Sequence, residues 1–220
     1  MRDEVGDMIA QGYDRVADEY AALESEPAPW PRLARVKAFI ADLPDGSRVL
    51  DVGCGNGVPA TREIAHRHEV TGVDISPEQI ARAKSNVPAA TFHCADVRDI
   101  ELPQGSFDAI VALYLIDNVP SHDYPALFQK LAGWLKPGAR ILLSAEPGDD
   151  PGGTYEWLGV PMFINTLPAS ELAAILENAS LRVLEMPSET QLEGGREIEY
   201  VWFMVEVRPS SDGRIAEVRA

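Results

Sequence analysis

The stretch VLDVGCGNG, residues 49–57, decides the fold. An apolar run ends in the acidic Asp51, glycines follow at 53, 55 and 57, and VPATREIAHRH after them carries a helical pattern. Glycine lets a strand turn sharply into a helix and lets the backbone approach a ligand with no Cβ in the way. The helix start then offers its dipole and its free N–H groups. Strand, glycine turn and helix in this order open a nucleoside-binding α/β sheet. Asp74 ends the next apolar run, VTGVDIS, and a carboxylate there can accept hydrogen bonds from both ribose hydroxyls of an adenosine. Ser76 already supplies a helix cap, with Pro77 at the first helical position, so capping leaves Asp74 without a task.

Outward from this unit, apolar runs and helical patterns alternate: EVTGVDI with PEQIARAKSN, ATFHCADV with a loop, FDAIVALYL with YPALFQKLAGWL, and ARILLSAE with SELAAILENAS. Such alternation implies βαβ units, hence a doubly wound, mostly parallel sheet covered on both faces. The end differs. LRVLEMPSE and EYVWFMVEVR are joined through QLEGGREI with no helix between them, which adds an antiparallel strand. Val201 to Val205 are consecutively apolar, so that strand is expected inside the sheet. Before the sheet, Val5, Met8, Ile9, Tyr13, Val16 and Tyr20 recur at helical steps over Asp3–Leu23. A link EPAPWP follows, then a second helix, Arg32–Leu43, with Leu33, Val36, Phe39 and Ile40 on one face. The expected organisation is one domain over 1–208: a helical cap or lid at 1–44, a sheet core at 45–208 with an insertion near 147–168, and a tail at 209–220.

With 220 residues and 45% hydrophobic content, one substantial core is the expectation. Lys plus Arg total 19 against 35 for Asp plus Glu, a formal charge of -16, which repels phosphate backbones and anionic lipid. Nucleic acid and membrane are therefore not expected partners. Cys54 and Cys94 have no companion ligands at metal spacing, so neither a disulfide framework nor a metal site is expected. The stretch MRDEVGDMIAQGYD is acidic where a secretory signal is basic, and no run approaches the ~20 apolar residues of a membrane span, so the expected location is cytoplasmic.

Two ligand classes share this architecture. A dinucleotide fingerprint wants Gly or Ala three residues after its second glycine, where Val58 and Pro59 stand here, and an apolar residue at Asp51. A carboxylate at 51 would repel a pyrophosphate, but it can pair with the cationic amino group of a methionine moiety. VLDVGCGNG, VTGVDIS, HCADVRDIELPQGSFDAIVALYLIDNVP and WLKPGARILL, in this order, resemble the successive motifs of the class I S-adenosylmethionine-dependent methyltransferases. The resemblance implies a seven-stranded Rossmann-like sheet with S-adenosyl-L-methionine across the carboxyl ends of its first strands. It implies that Asp51, Gly53, Cys54 and Gly55 border the methionine part and that Asp74 takes the ribose. Ile75 then packs on adenine, Asp96 with Val97 reads the adenine edge, and Leu113 completes the wall. YDRVADEY is similar to the family's lid, which puts Tyr13 over the cofactor carboxylate; Tyr20 is expected as a core residue of its helix.

Methyl transfer is an in-line displacement, so holding two ligands at reacting distance and excluding water can supply most of the catalysis. Trp157, Met162 and Phe163 are expected either to line the pocket of a small-molecule methyl acceptor that reacts through oxygen or nitrogen, or equally to pack in the core or against a second subunit. If a proton must leave the acceptor, the candidates near strand four are Asp117, His122 and Tyr114, with Asn118 beside them. The later chain is similar to small bacterial methyltransferases that carry histidine at Asn118 and Ser-His near Asn165 and Thr166, so a mechanism built on those histidines is not expected here. No nucleophile elbow is present. A nicotinamide-dependent oxidoreductase and a non-catalytic cofactor-binding relative are the alternatives, and the chain is expected as a monomer or homodimer.

Overall fold

The computed structural model describes residues 3–25, 31–193 and 195–208. Three helices come first, α1 (Glu4–Arg15), α2 (Ala17–Ser25) and α3 (Arg32–Ile40). The sheet units follow: β1 (Arg48–Val52), α4 (Ala60–Ile64), β2 (Glu69–Asp74), α5 (Pro77–Asn86), β3 (Thr91–Cys94), β4 (Phe107–Ala112), α6 (Tyr124–Trp134) and β5 (Leu135–Ala145). A hairpin of β6 (Gly153–Trp157) and β7 (Val160–Ile164) precedes α7 (Ala169–Asn178), and β8 (Leu181–Glu185), β9 (Ser188–Glu193) and β10 (Arg196–Val207) close the chain. Most of the EPAPWP link and all of the tail 209–220 lie outside the described residues.

The sheet order is β3-β2-β1-β4-β5-β10-β8. Strands β1 to β5 pair in parallel, whereas β10 runs antiparallel to β5 on one side and β8 on the other. The apolar run at 201–205 therefore lies inside the sheet, as its composition predicts. Successive side chains of a strand point to opposite faces. Leu50, Ile110 and Phe203 join a core with Phe128, Leu131 and Trp134 on one face, while Val49, Val111 and Trp202 join Val36 and Phe39 on the other. The strand order reverses between β1 and β4, and ligands of open α/β sheets bind beyond the strand ends at such a point.

Two elements differ from expectation. LRVLEMPSE is not one strand: Pro187, which has no N–H to donate, separates β8 from β9, and β9 turns away to form a hairpin with the first half of β10. The first helix is also not continuous. It breaks at the buried Val16, and the bend brings the rings of Tyr13 and Tyr20 within 5.6 Å.

Helix α1 docks on the β6–β7 hairpin. Ile9 and Val16 pack with Val160 and Met162 in a cluster separate from the sheet cores, with Tyr13, Tyr20 and Trp157 at its margin. Gly12 makes the contact close: a Cβ there would lie 2.7 Å from Met162 Cε. Among the described residues no helix is long and apolar enough to cross a membrane.

Candidate functional site

The turn from β1 into α4 needs the left-handed backbone that glycine permits, with φ of +71° at Gly53 and +51° at Gly55. A Cβ on Gly55 would meet nothing nearer than Gln79 Oε1 at 4.0 Å, so the turn leaves open space on that side. The space is a cleft lined by Tyr13, Asp51, Gly53, Cys54, Gly55, Asp74, Ile75, Asp96, Val97 and Leu113. These are the ten residues for which the resemblance implied cofactor contact, and the fold brings them to one cavity.

Asp74 sits at the end of β2 with Oδ2 accepting from Gly55 N–H and Oδ1 from Ser76 N–H, both at 2.9 Å. Burial pushes its carboxyl up to about 6 against those two bonds. Asp51, only 3% exposed, accepts from Thr61 Oγ1 at 2.5 Å, and burial raises it to about 6 as well. The half-buried Asp74 and the buried Asp51, both partly withdrawn from water, fit the ribose hydroxyls and the ammonium group of S-adenosylmethionine, whose donors replace the lost hydration.

Helix α1 closes this cleft through three polar contacts, each to a different loop. At its start, Asp3 accepts from Arg98 Nη1 and Nη2, both at 2.8 Å, while the same guanidinium grips Asp96. Arg98 holds the Asp3 carboxyl at about 2. In the middle, Tyr13 donates to Asn118 Oδ1 at 2.9 Å. At the end, Asp14 accepts from Ser76 Oγ at 2.6 Å and from Glu78 N–H at 3.1 Å. The helix thus rests on the loops after β3, β4 and β2.

A second cavity, of ≈ 590 Å³, adjoins the first and shares Tyr13, Tyr20, Arg32, Tyr114 and Asn118 with it. Its size is that of a small-molecule site, for which about 300–1,000 Å³ is usual. Trp157 and Met162 line it as expected, whereas Phe163 lines neither cavity. Tyr20, expected as a core residue, instead stands between the cavities, packed edge-on with Tyr13 and 5.5 Å from Trp157.

The three proton-transfer candidates separate. Asp117 lines the second cavity, its carboxylate accepting from Glu146 N–H at 3.3 Å; burial drives it well above the usual range, and nearby Glu146 and Glu193 add to the rise. Asn118 has both ends of its amide engaged, accepting from Tyr13 and donating to the Phe163 carbonyl at 2.8 Å, which ties α1 to β7. His122 stays outside the site: its side chain is 81% exposed just before α6 and lines neither cavity. Tyr114 is raised by burial to about 12, so its phenol keeps its proton at neutral pH. Asn165 is fully buried and donates to the carbonyls of Asp117 and Val119, both at 2.9 Å, so it fixes the loop that carries Asp117.

The sequence reading missed Gln79, Arg98, Glu146 and Glu193. Glu146 follows the carboxyl end of a parallel strand, a position that does signal a site. Gln79 is 1% exposed on the wall of the first cavity, and among the described residues neither atom of its amide has a hydrogen-bond partner. An orphaned buried amide costs stability unless a ligand completes it. Gln79→Leu is expected to leave the ligand-free melting temperature unchanged or higher and to weaken S-adenosylhomocysteine by about tenfold, the worth of one hydrogen bond. Paired melts and calorimetric titrations read both, and unchanged affinity would remove Gln79 from the ligand's contacts.

Comparison with known proteins agrees with this geometry. A family described as a methyltransferase domain matches residues 49–138. The ubiquinone biosynthesis O-methyltransferase of Xanthomonas campestris pv. campestris is 32% identical over 171 residues, covering 70% of each chain. The 27-O-demethylrifamycin SV methyltransferase of Amycolatopsis mediterranei is 34% identical over 145 residues, or 63% of this chain, which spans about half (51%) of that protein. Among solved structures, the Burkholderia thailandensis 1,6-didemethyltoxoflavin-N1-methyltransferase, crystallised with 1,6-didemethyltoxoflavin and S-adenosylhomocysteine, superimposes with a TM-score of 0.63. The match covers 90% of this chain and 89% of that one at 20% identity, a likeness of fold.

Proposed function

The chain belongs to the class I S-adenosylmethionine-dependent methyltransferases, with S-adenosylmethionine as its cofactor, and from that membership we propose that it methylates an oxygen or nitrogen of a small molecule bound in the second cavity. The membership sets aside the nicotinamide alternative. One observation carries the proposal: a second cavity of small-molecule size shares a wall of Tyr13, Tyr20 and Asn118 with the cleft that gathers the cofactor motifs.

When bound, S-adenosylmethionine supplies a methyl group activated by attachment to a cationic sulfur. In our reading Asp74 receives the ribose hydroxyls, Asp51 the ammonium end, and Ile75 with Asp96 and Val97 the adenine. Tyr13, Tyr20 and Trp157, whose centroids lie 5.5–5.6 Å apart, cover the junction of the two cavities and exclude water from it. Asp117 holds the proton released by the acceptor at its carboxylate. Burial makes it a stronger proton acceptor than an ordinary Asp, which favours that task.

The three contacts of α1 support a lid that opens for exchange of the cofactor. The test is direct: incubate the protein with S-adenosylmethionine and pools of small metabolites, and follow formation of S-adenosylhomocysteine with the gain of one methyl group by mass spectrometry. Turnover with protein or nucleic acid in place of small molecules would overturn the acceptor class.

A further inference from the structure

We infer that the second cavity selects an acceptor carrying an ammonium group. The inference rests on the reading of that cavity as the acceptor site. The cavity exists by virtue of its walls and its junction with the cofactor cleft, and the charge of those walls decides what it admits.

Three elements that are distant in sequence bring carboxylates to it: Asp117 from the turn after β4, Glu146 from just past β5, and Glu193 from the end of β9. These are not the solvated acids that give the chain its overall charge. Asp117 and Glu146 are half-buried, and among the described residues neither has a cationic side chain at ion-pair distance. Burial raises both carboxyls, and Glu193 adds its charge to each. Among the described residues the whole lining carries six acidic side chains, with Asp150, Glu156 and Glu197 beside these three, against two cations, Arg32 and Arg196. The buried Arg32 is stacked over the Tyr114 ring at 4.4 Å and donates to the Tyr20 hydroxyl at 3.5 Å.

Tyr20 and Trp157 line the same cavity with aromatic rings, and aromatic faces attract cations. Each class of acceptor meets these walls differently. An anionic acceptor would be repelled by the excess of carboxylates over arginines, and a neutral one could hydrogen-bond to them but would leave their charge unbalanced. An ammonium group answers both the charge and the aromatic faces. The proton that such a group must shed before its nitrogen can act as a nucleophile has Asp117 as its receiver.

The experiment uses the full chain saturated with S-adenosylhomocysteine and a panel of size-matched arylalkyl amines, alcohols and carboxylic acids, with 2-phenylethylamine, 2-phenylethanol and phenylacetate as one matched set. Binding is measured by thermal shift and calorimetry, with no methyl transfer required. Amines are expected to bind at least tenfold more tightly than their alcohol partners and acids most weakly. Glu146→Gln and Asp117→Asn should each erase most of the amine preference while S-adenosylhomocysteine binds as before. Equal or better binding of alcohols or acids, an amine preference that survives both substitutions, or no amine bound at all would overturn the inference. Loss of S-adenosylhomocysteine binding by the wild-type chain would instead strike at the functional reading beneath it.

Discussion

Asp74→Ala is expected to weaken S-adenosylhomocysteine by about a hundredfold to ten-thousandfold. Two charge-assisted hydrogen bonds to the ribose are lost, each worth about 1.5–3 kcal/mol. The same carboxylate accepts the N–H groups of Gly55 and Ser76, so Asp74→Asn, which keeps an acceptor oxygen, separates the ligand term from loosening of the loop. The wild type should also show a pH dependence. Asp74 has its pKa raised to about 6, and only the ionised form accepts from both hydroxyls, so affinity falls as pH drops through 6. Folding stability moves the other way. A carboxyl whose folded pKa lies above its unfolded value favours the protonated fold, so its contribution is lost as pH rises through about 6. Asp51, also at about 6, adds to both trends. Titrations and melts at pH 5.5 and 7.5 measure the opposing slopes, and wild-type affinity in Asp74→Ala would take Asp74 out of the site.

Asp117→Asn is expected to lower turnover by about a hundredfold to ten-thousandfold, the usual worth of a positioned base, while S-adenosylhomocysteine binds unchanged. The carboxylate must be ionised to take a proton, and its environment keeps it protonated to higher pH than an ordinary Asp. The wild-type rate should therefore climb with pH beyond the normal carboxylate range, and the variant should lose that limb. Full turnover in Asp117→Asn, on the acceptor identified by mass spectrometry, would exclude it as the proton receiver.

The parts of the fold and of the candidate site that the sequence made legible are those governed by short-range patterns. Asp51, the glycines and Asp74 could be found because strand ends, turns and caps are spelled within a few residues. The break at Val16 could not, because Tyr13 and Tyr20 keep a helical period across it, and the β9 hairpin was hidden because Met186-Pro187 interrupts an otherwise extended run. Gln79 reads as an ordinary helix residue, and only its burial without a partner marks it. Asp3 and Asp14 read as charges of a surface helix, yet their partners, Arg98 and Ser76, lie some 95 and 62 residues away. Thr166, whose hydroxyl takes Asp150 N–H, and the buried Asn165 stand where the resembling subgroup carries Ser-His, and here they hold the loops around the second cavity.

The two cavities divide the chain unequally. Every described residue lining the first lies at or before Val119, whereas most of the second is built from residues after Ala145, on the β6–β7 and β9–β10 hairpins. The hairpins are held by α1 and by β10 and contribute nothing to the first cavity. Hairpin residues that face only the second cavity, such as Glu156 and Ile198, can change without touching the residues that face the methyl donor, whereas Trp157 and Met162 pack on Tyr13 and Gly12 of α1 and are constrained by both cavities. In our reading the acceptor range can diverge at those outward positions while the methyl-donor cleft is kept, and exchanging them between relatives, with Trp157, Met162 and Phe163 retained, is the natural graft for redirecting it.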